Sequence, residues 1–354
     1  NSQTYRVLGN TYLEANILAG LKFRTQLGLD ASFVDDFSYT DPRAGDGLSA
    51  NGNMSQAYSP FMRWNWQNIL TYTKSFNATH NIDVTLVSEF QKDKSSFYQA
   101  SISNISDIFF NQNITSNTFV TPNVSGGLTY GGIESYLARA SYNYKSKYYL
   151  GASIRRDALS ALPEANRVGY FPGVSAAWRI SEEDFFKNSS SLKFINELKL
   201  RGSFAEVGNT SIGSFPYLGT YAAAAYGNQS GIGFNQTGNP DLKWESQKSY
   251  DIGIDMSMFN NRVNVVAAYW KKDNIDAILS APTPPSIGIP GNSISRNIGS
   301  ITNNGLEFAI NADVLSSSKL QWNTSLNFST QNNKIYYTPN RKSYIVNRKL
   351  YESD

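Results

Sequence analysis

Residues 243–258 read KWESQKSYDIGIDMSM. The even positions carry Trp244, Ser246, Lys248, Tyr250, Ile252, Ile254, Met256 and Met258. The odd positions carry Lys243, Glu245, Gln247, Ser249, Asp251, Gly253, Asp255 and Ser257, with no large apolar residue among them. A two-residue period is the mark of a β-strand, because successive side chains point to opposite faces. Residues 320–328 repeat the pattern, with Leu320, Trp322, Leu326 and Phe328 on one row and Gln321, Asn323, Ser325 and Asn327 on the other. A wholly polar row backed by an apolar one needs two different solvents. Lipid outside a wall and water inside it supply them.

The rest of the composition fits this reading. The chain has 354 residues, a mean hydropathy of −0.39 and 14% aromatics, 22 of them Tyr. No apolar run reaches the ~18 residues of a spanning helix, which excludes a helical membrane protein. Alternating strands average out to such a hydropathy, because each lipid-facing residue has a polar neighbour. The formal charge is +3, so no electrostatic case exists for nucleic acid or an acidic partner. The absence of Cys excludes disulfides and thiolate metal sites.

Strands are expected at about 4–17, 21–39, 58–75, 80–99, 131–145, 148–158, 168–181, 196–208, 243–258, 262–279, 299–315 and 319–335. Short connections fall at 18–20, 75–79, 145–147, 259–261 and 316–318. The connection 182–195 is longer and is expected to hold a brief helix. Long connections near 40–57, 100–130, 209–242 and 280–298, with a moderate one at 159–167, are rich in Gly, Asn, Ser and Pro. Long and short alternate without a slip, as in outer-membrane barrels with short periplasmic turns and long outer loops. Aromatics cluster beside the short turns (Tyr142, Tyr144, Tyr148, Tyr149, Phe259, Trp322), as a headgroup girdle requires. The fold class expected is all-β, an antiparallel transmembrane β-barrel. Residue 1 is Asn and no charged-then-apolar leader precedes the first strand, so the chain reads as an internal piece of something longer. Two open strand edges in hydrocarbon would cost on the order of tens of kcal/mol, so strands beyond this dozen are expected unless these close by themselves.

Several segments resemble the SusC/RagA class of TonB-dependent outer-membrane transporters of Bacteroidota. The densest is SYLARASYNYKSKYYLGASIRRDALSALPEANRVGYFPGVSAAWRISEEDFF (135–186). Others are LKLRGSFAEVGN (198–209), NPDLKWESQKSYDIGIDMSMFNNRVNVVAAYWKKDNIDAIL (239–279), NIGSITNNGLEF (297–308), LKFRTQLGLD (21–30) and the hairpin 66–87. Two departures lie at loop mouths. Ala158-Leu159-Ser160-Ala161-Leu162-Pro163 stands where the family has a Gly-Ser-Ser-type run, and Glu206-Val207-Gly208-Asn209 where it has a Gly-Lys-Thr-Gly-Asn-like stretch. The resemblance implies that residues 1–354 are part of a 22-stranded barrel whose plug, signal peptide and TonB-binding segment lie outside this chain. It further implies energised import of oligosaccharides or peptides at the bacterial outer membrane, with a SusD-like surface lipoprotein as lid and TonB acting through the plug.

Catalytic chemistry has little to stand on. The single His, His80, falls near a short periplasmic turn, away from any nucleophile, and is read as a structural hydrogen-bonding group. Asp35, Asp36, Asp41 and Asp46 lack the spacing of a calcium loop and are read as solvated loop charges. Glu182-Glu183-Asp184 reads as a helix start. No catalytic residue, metal ligand or cofactor is therefore expected. The loop 209–238 carries Phe215, Tyr217, Tyr221, Tyr226 and Phe234, aromatics able to contact cargo or lid, or simply to pack within the loop. Pro282–Pro290 reads as a stiff extended loop. By parity Arg139, Arg155, Lys199, Arg201, Glu245, Asp251 and Asp255 face the lumen, as a polar ladder against water or a plug. Two rivals share parts of this pattern: a passive porin-like channel, and a soluble all-β glycan-binding protein with its apolar rows buried between sheets.

Overall fold

The computed structural model describes residues 1–77, 79–105, 114, 122–227, 229–317, 319–336, 344–346 and 349–351. Residues 106–113 and 115–121 of the expected loop at 100–130, and Ala78 and Ser318 of two expected short turns, lie outside the described residues.

The strands are β1 (Ser2–Leu18), β2 (Leu21–Thr40), β3 (Asn53–Phe76), β4 (His80–Ser103), β5 (Asn123–Tyr144), β6 (Tyr148–Leu159), β7 (Val168–Arg179) and β8 (Ile195–Gly208). A hairpin of β9 (Thr220–Tyr226) and β10 (Gln229–Gln236) follows, then β11 (Ser246–Met258) and β12 (Val263–Ile275). A second hairpin, β13 (Ile278–Pro282) and β14 (Ser293–Asn297), precedes β15 (Ser300–Ser316), β16 (Gln321–Ser329) and β17 (Asn332–Tyr336). A short pair, β18 (Tyr344–Val346) and β19 (Lys349–Tyr351), ends the chain. The main sheet runs β1-β2-β3-β4-β5-β6-β7-β8-β11-β12-β15-β16, with β17 also on β15. Neighbours in sequence are neighbours in space, apart from the hairpins inserted in the long connections. No described helix is long and apolar enough to cross a membrane.

Two compact units are formed. The first comprises Asn1–Ala15, Arg24–Asn68 and Glu89–Glu134. Its core is a small cluster of Met54, Ile102, Ile105 and Ile114, with Phe37 and Tyr39 packed against it. Its strands carry a charged face, on which Arg6 bridges to Asp30 and Arg63 to Asp93. The second unit comprises Asn16–Phe23, Ile69–Ser88 and Ser135–Asp354. There the register shows directly what the period implies. Leu150 faces Ala176, Ile252 faces Gly202 and Tyr269, and Phe308 faces Ala267 and Phe328. Side chains on this row stay open: Leu150 is 56% exposed, Ile252 55%, Leu306 55% and Leu326 60%. An apolar row this broad, running without interruption over seven strands from β6 to β16, is far beyond the patches soluble monomers expose. It is a face built for lipid, not the interior of a sandwich, which disposes of the soluble rival.

Each of the twelve expected strands is present, and the differences lie at their outer ends. β3 and β5 start several residues earlier than the periodicity suggested, at Asn53 and Asn123. The expected strand 319–335 is two: Thr330 and Gln331 interrupt it, and Leu306 exchanges hydrogen bonds with Thr330 through its backbone N–H and O. The expected strand 262–279 likewise breaks at Asp276, whose φ is 55°. The connections 209–242 and 280–298 hold β-hairpins rather than irregular loop. Pro282–Pro290 is not extended: it makes 3-10 turns at Pro285–Ile287 and Pro290–Asn292, which use proline's fixed φ at their first position. The brief helix in 182–195 is Asp184–Lys187.

Candidate functional site

The lumen-side row of the second unit bears a compact charge cluster. Arg201 on β8 pairs in register with Gly253 on β11. A Cβ at residue 253 would sit 2.8 Å from Arg201 Cζ, so glycine is what lets the guanidinium lie flat across the strand. From there it donates to Asp251 on one side and, at 3.3 Å, to Asp255 on the other. Lys199 Nζ stands 4.0 Å from Asp255. The same row opens onto a cavity of about 640 Å³, lined by Arg139, Ser141, Ser175, Arg201, Ser203 and Asp251 among others. Small residues (Gly151, Ser153, Gly173, Ser175) keep the wall low there. Five of the seven charges expected on the ladder are thus placed: Arg139, Lys199, Arg201, Asp251 and Asp255. Arg155 lies on the same row of β6 but is turned toward the outer end, donating to Asp157 at 2.8 Å and to the buried Ser135 hydroxyl at 2.8 Å.

Glu245 is a correction. The strand begins at Ser246, and Glu245 precedes it, where its Oε2 accepts the N–H of Ile278 at 3.0 Å. Trp244 moves with it. Instead of heading the lipid-facing row, it meets Phe171 edge-on, centroids 5.1 Å apart, and its indole donates to the Arg167 carbonyl at 3.0 Å. Gly169 and Gly208 form the slot: a Cβ on Gly208 would lie 2.4 Å from Phe171 Cζ and 2.6 Å from the Trp244 ring. Leu162 and Leu242 are fully buried beside this region's loops. Asn297 ties the two hairpin-bearing connections together, exchanging hydrogen bonds with the Lys243 backbone at 2.9 Å and donating to the Asp276 carbonyl at 2.8 Å. The outer loops of this unit are therefore anchored at their base.

The five loop aromatics do not converge on one site. Phe215 and Tyr217 form an edge-on pair, centroids 6.3 Å apart, and Tyr221 and Phe234 face each other across the β9–β10 register at 5.5 Å. Tyr226 stands at the hairpin tip, 88% exposed. The stretch 209–239 contains no charged residue. Such a hairpin offers rings and amides to a partner, without charge selection.

At the opposite end, the short turn 145–147 and the helix before β8 share a hub that the sequence reading passed over. Glu183 accepts from the Tyr148 hydroxyl at 2.5 Å, the Trp178 indole at 3.0 Å and Lys147 Nζ at 3.2 Å. These donors, the tyrosine first, hold its carboxyl well below the usual range, at about 2. The sequence reads Glu183 only as part of a helix start; Trp178 is five residues away, but Lys147 and Tyr148 are 36 and 35 positions off across the β6–β7 hairpin, so the hub has no local signature. His80 has a structural partner, its Nδ1 2.7 Å from the Tyr142 hydroxyl. In the first unit, Arg43 engages Asp41 at 2.8 Å and lowers its carboxyl to about 2.

With this geometry in place, comparison with known proteins is decisive. The family model for the TonB dependent receptor-like β-barrel matches residues 2–349. The chain belongs to that family. Among curated relatives, the TonB-dependent receptor P39 of Formosa agariphila is 34% identical over 332 residues, 92% of this chain and 31% of its own length. The TonB-dependent receptor SusC of Bacteroides thetaiotaomicron is 31% identical over 211 residues, 57% of this chain and 20% of its own length. The chain thus spans about a third of the length of the first curated relatives it matches. Among solved structures, the RagAB peptide importer in its closed-closed state superposes with a TM-score of 0.87 at 20% identity, over 99% of this chain and 39% of that one. At that identity the likeness speaks for the fold. The family places the two-faced sheet in the bacterial outer membrane, with its apolar row toward lipid and its charged row toward the lumen.

Proposed function

We propose that this chain supplies part of the wall of an energised outer-membrane importer of oligosaccharides or peptides. In this reading, strands outside the chain complete a 22-stranded barrel. The ladder around Arg201, Asp251 and Asp255 faces a plug, through which TonB would act. The anchored outer loops, with the uncharged β9–β10 hairpin, receive a SusD-like lipoprotein lid. The observation that carries the reading is the asymmetry of the second unit: one face apolar and open, the other charged and grooved, with hairpin-bearing connections, among the described residues, at one end only. A passive porin shares the two faces, but it has no use for a charge-free aromatic hairpin on a braced base. SusC and the RagAB peptide importer bear names that point the same way, and neither name fixes a cargo for this chain.

The test is affinity purification of the full-length protein from detergent-solubilised outer membranes, before and after deletion of residues 219–237. A lipoprotein companion that co-purifies with the wild type and is depleted by the deletion supports the lidded importer. A protein that purifies alone and conducts passively in planar bilayers overturns it.

A further inference from the structure

The outward face at the short-turn end carries a row of rings with two ammonium groups lying on them. Thr73 and Ser75 of β3 turn to the lumen side, where they donate to Asp83 and Asn81. Lys74 and Phe76 alternate with them and so face lipid. Lys74 Nζ lies 4.9 Å from the Phe76 ring centre. In the neighbouring turn, Lys145 and Ser146 both adopt φ near +50°, the two-residue turn that suits a right-twisted hairpin. That turn carries Lys145 Nζ to 5.2 Å from the Tyr144 ring. The two turns are joined, because Lys145 N donates to the Thr79 carbonyl at 2.7 Å. Between them His80 packs against Tyr144 at 4.8 Å, and Tyr144 stacks in turn on Tyr148.

The partners of the cations differ in a telling way. Lys147, two residues on, is committed to Glu183. Lys74 and Lys145 are exposed, and among the described residues neither is in an ion pair. An ammonium held over rings at headgroup depth, with no carboxylate of its own, is complementary to a phosphate at the same depth.

We propose that Lys74 and Lys145, set on the Phe76–Tyr144–Tyr148 row that His80 packs against, form a binding site for an anionic phospholipid headgroup in the periplasmic leaflet. The lysines supply the charge, the rings hold them at the interface, and the apolar row above takes the acyl chains. Each lysine contributes about fivefold in affinity, from roughly 1 kcal/mol per cation near a charged membrane surface.

The experiment is native mass spectrometry of the full-length protein released from nanodiscs holding equal fractions of phosphatidylglycerol and phosphatidylethanolamine. The wild type is expected to retain phosphatidylglycerol preferentially. Lys74→Ala with Lys145→Ala should lower the ratio by about 25-fold, while Lys74→Arg with Lys145→Arg preserves it. Heat-modifiable gel migration verifies folding, and Lys74→Gln with Lys145→Gln replaces the alanine pair if that pair misfolds. Equal retention of both lipids by the wild type overturns the site, as does an undiminished ratio in the neutral variants. Abolition of the preference by inorganic phosphate would make it a free-anion site and overturn the lipid assignment.

Discussion

Replacing Ile252 by lysine and, separately, Ser203 by lysine tests the assignment of the two faces with a one-residue offset. Ile252 pairs with Gly202, so Ser203 lies one step along β8 and on the opposite side of the sheet. β11 has 13 residues, about 43 Å at ~3.3 Å each, and a tilt of ~45° brings its height to about 30 Å. That equals the hydrocarbon thickness, and Ile252 is the central residue, so its side chain sits at the bilayer midplane. Lysine on the lipid face there costs about 2–4 kcal/mol, a shift of roughly 30- to 1,000-fold in the folding equilibrium. Lysine at Ser203 lies on the polar lumen row in register with Asp251, so its effect should stay within about 0.5 kcal/mol. Urea unfolding of the full-length protein in liposomes, followed by tryptophan fluorescence, measures both. If the two variants lose equal stability, or if Ile252→Lys is neutral, the lipid and lumen faces have been misassigned.

The remaining expectations concern the two ends of the wall. Trp244→Ala empties the slot between Gly169 and Gly208 and should cost about 3 kcal/mol locally, seen as faster hydrogen exchange in residues 239–245 and 276–299. Gly208→Val should give the same pattern by overpacking, since its Cβ has no room beside Phe171. Glu183 has its folded pKa depressed to about 2, so its contribution to stability is complete above about pH 4.5. That contribution should fade as pH falls toward about 2. Hydrogen exchange across residues 144–148 and 180–187 should show this acid sensitivity in the wild type and lack it in Glu183→Gln. Arg201→Ala leaves Asp251 and Asp255 without their shared cation; because the cluster is about one-third exposed, the loss in urea unfolding should be only about 1 kcal/mol.

Where the side-chain period was clean, as in 246–258 and 321–329, local chemistry alone fixed both the strand and the face each residue takes, because a one-residue slip would put every apolar side chain into water. The short turns and their aromatic girdle were legible for the same reason: each is set by residues adjacent in sequence. Trp244 and Glu245 mark where this legibility stops. Both obey the alternation, yet the strand begins after them, because Phe171 and Ile278 offer partners 73 and 33 positions away that no period encodes. The hairpins in the outer connections have no legible strand signature because their alternation is short and set among glycine, alanine and polar residues, as in Gly231-Ile232-Gly233-Phe234. Their backbone pairing, not their hydrophobicity, defines them. The Glu183 hub and the Arg201 fork over Gly253 depend on strands brought side by side. The sequence determined which atoms face lipid and which face water; only the tertiary structure decided which charges meet, because register across strands is settled by the whole sheet at once.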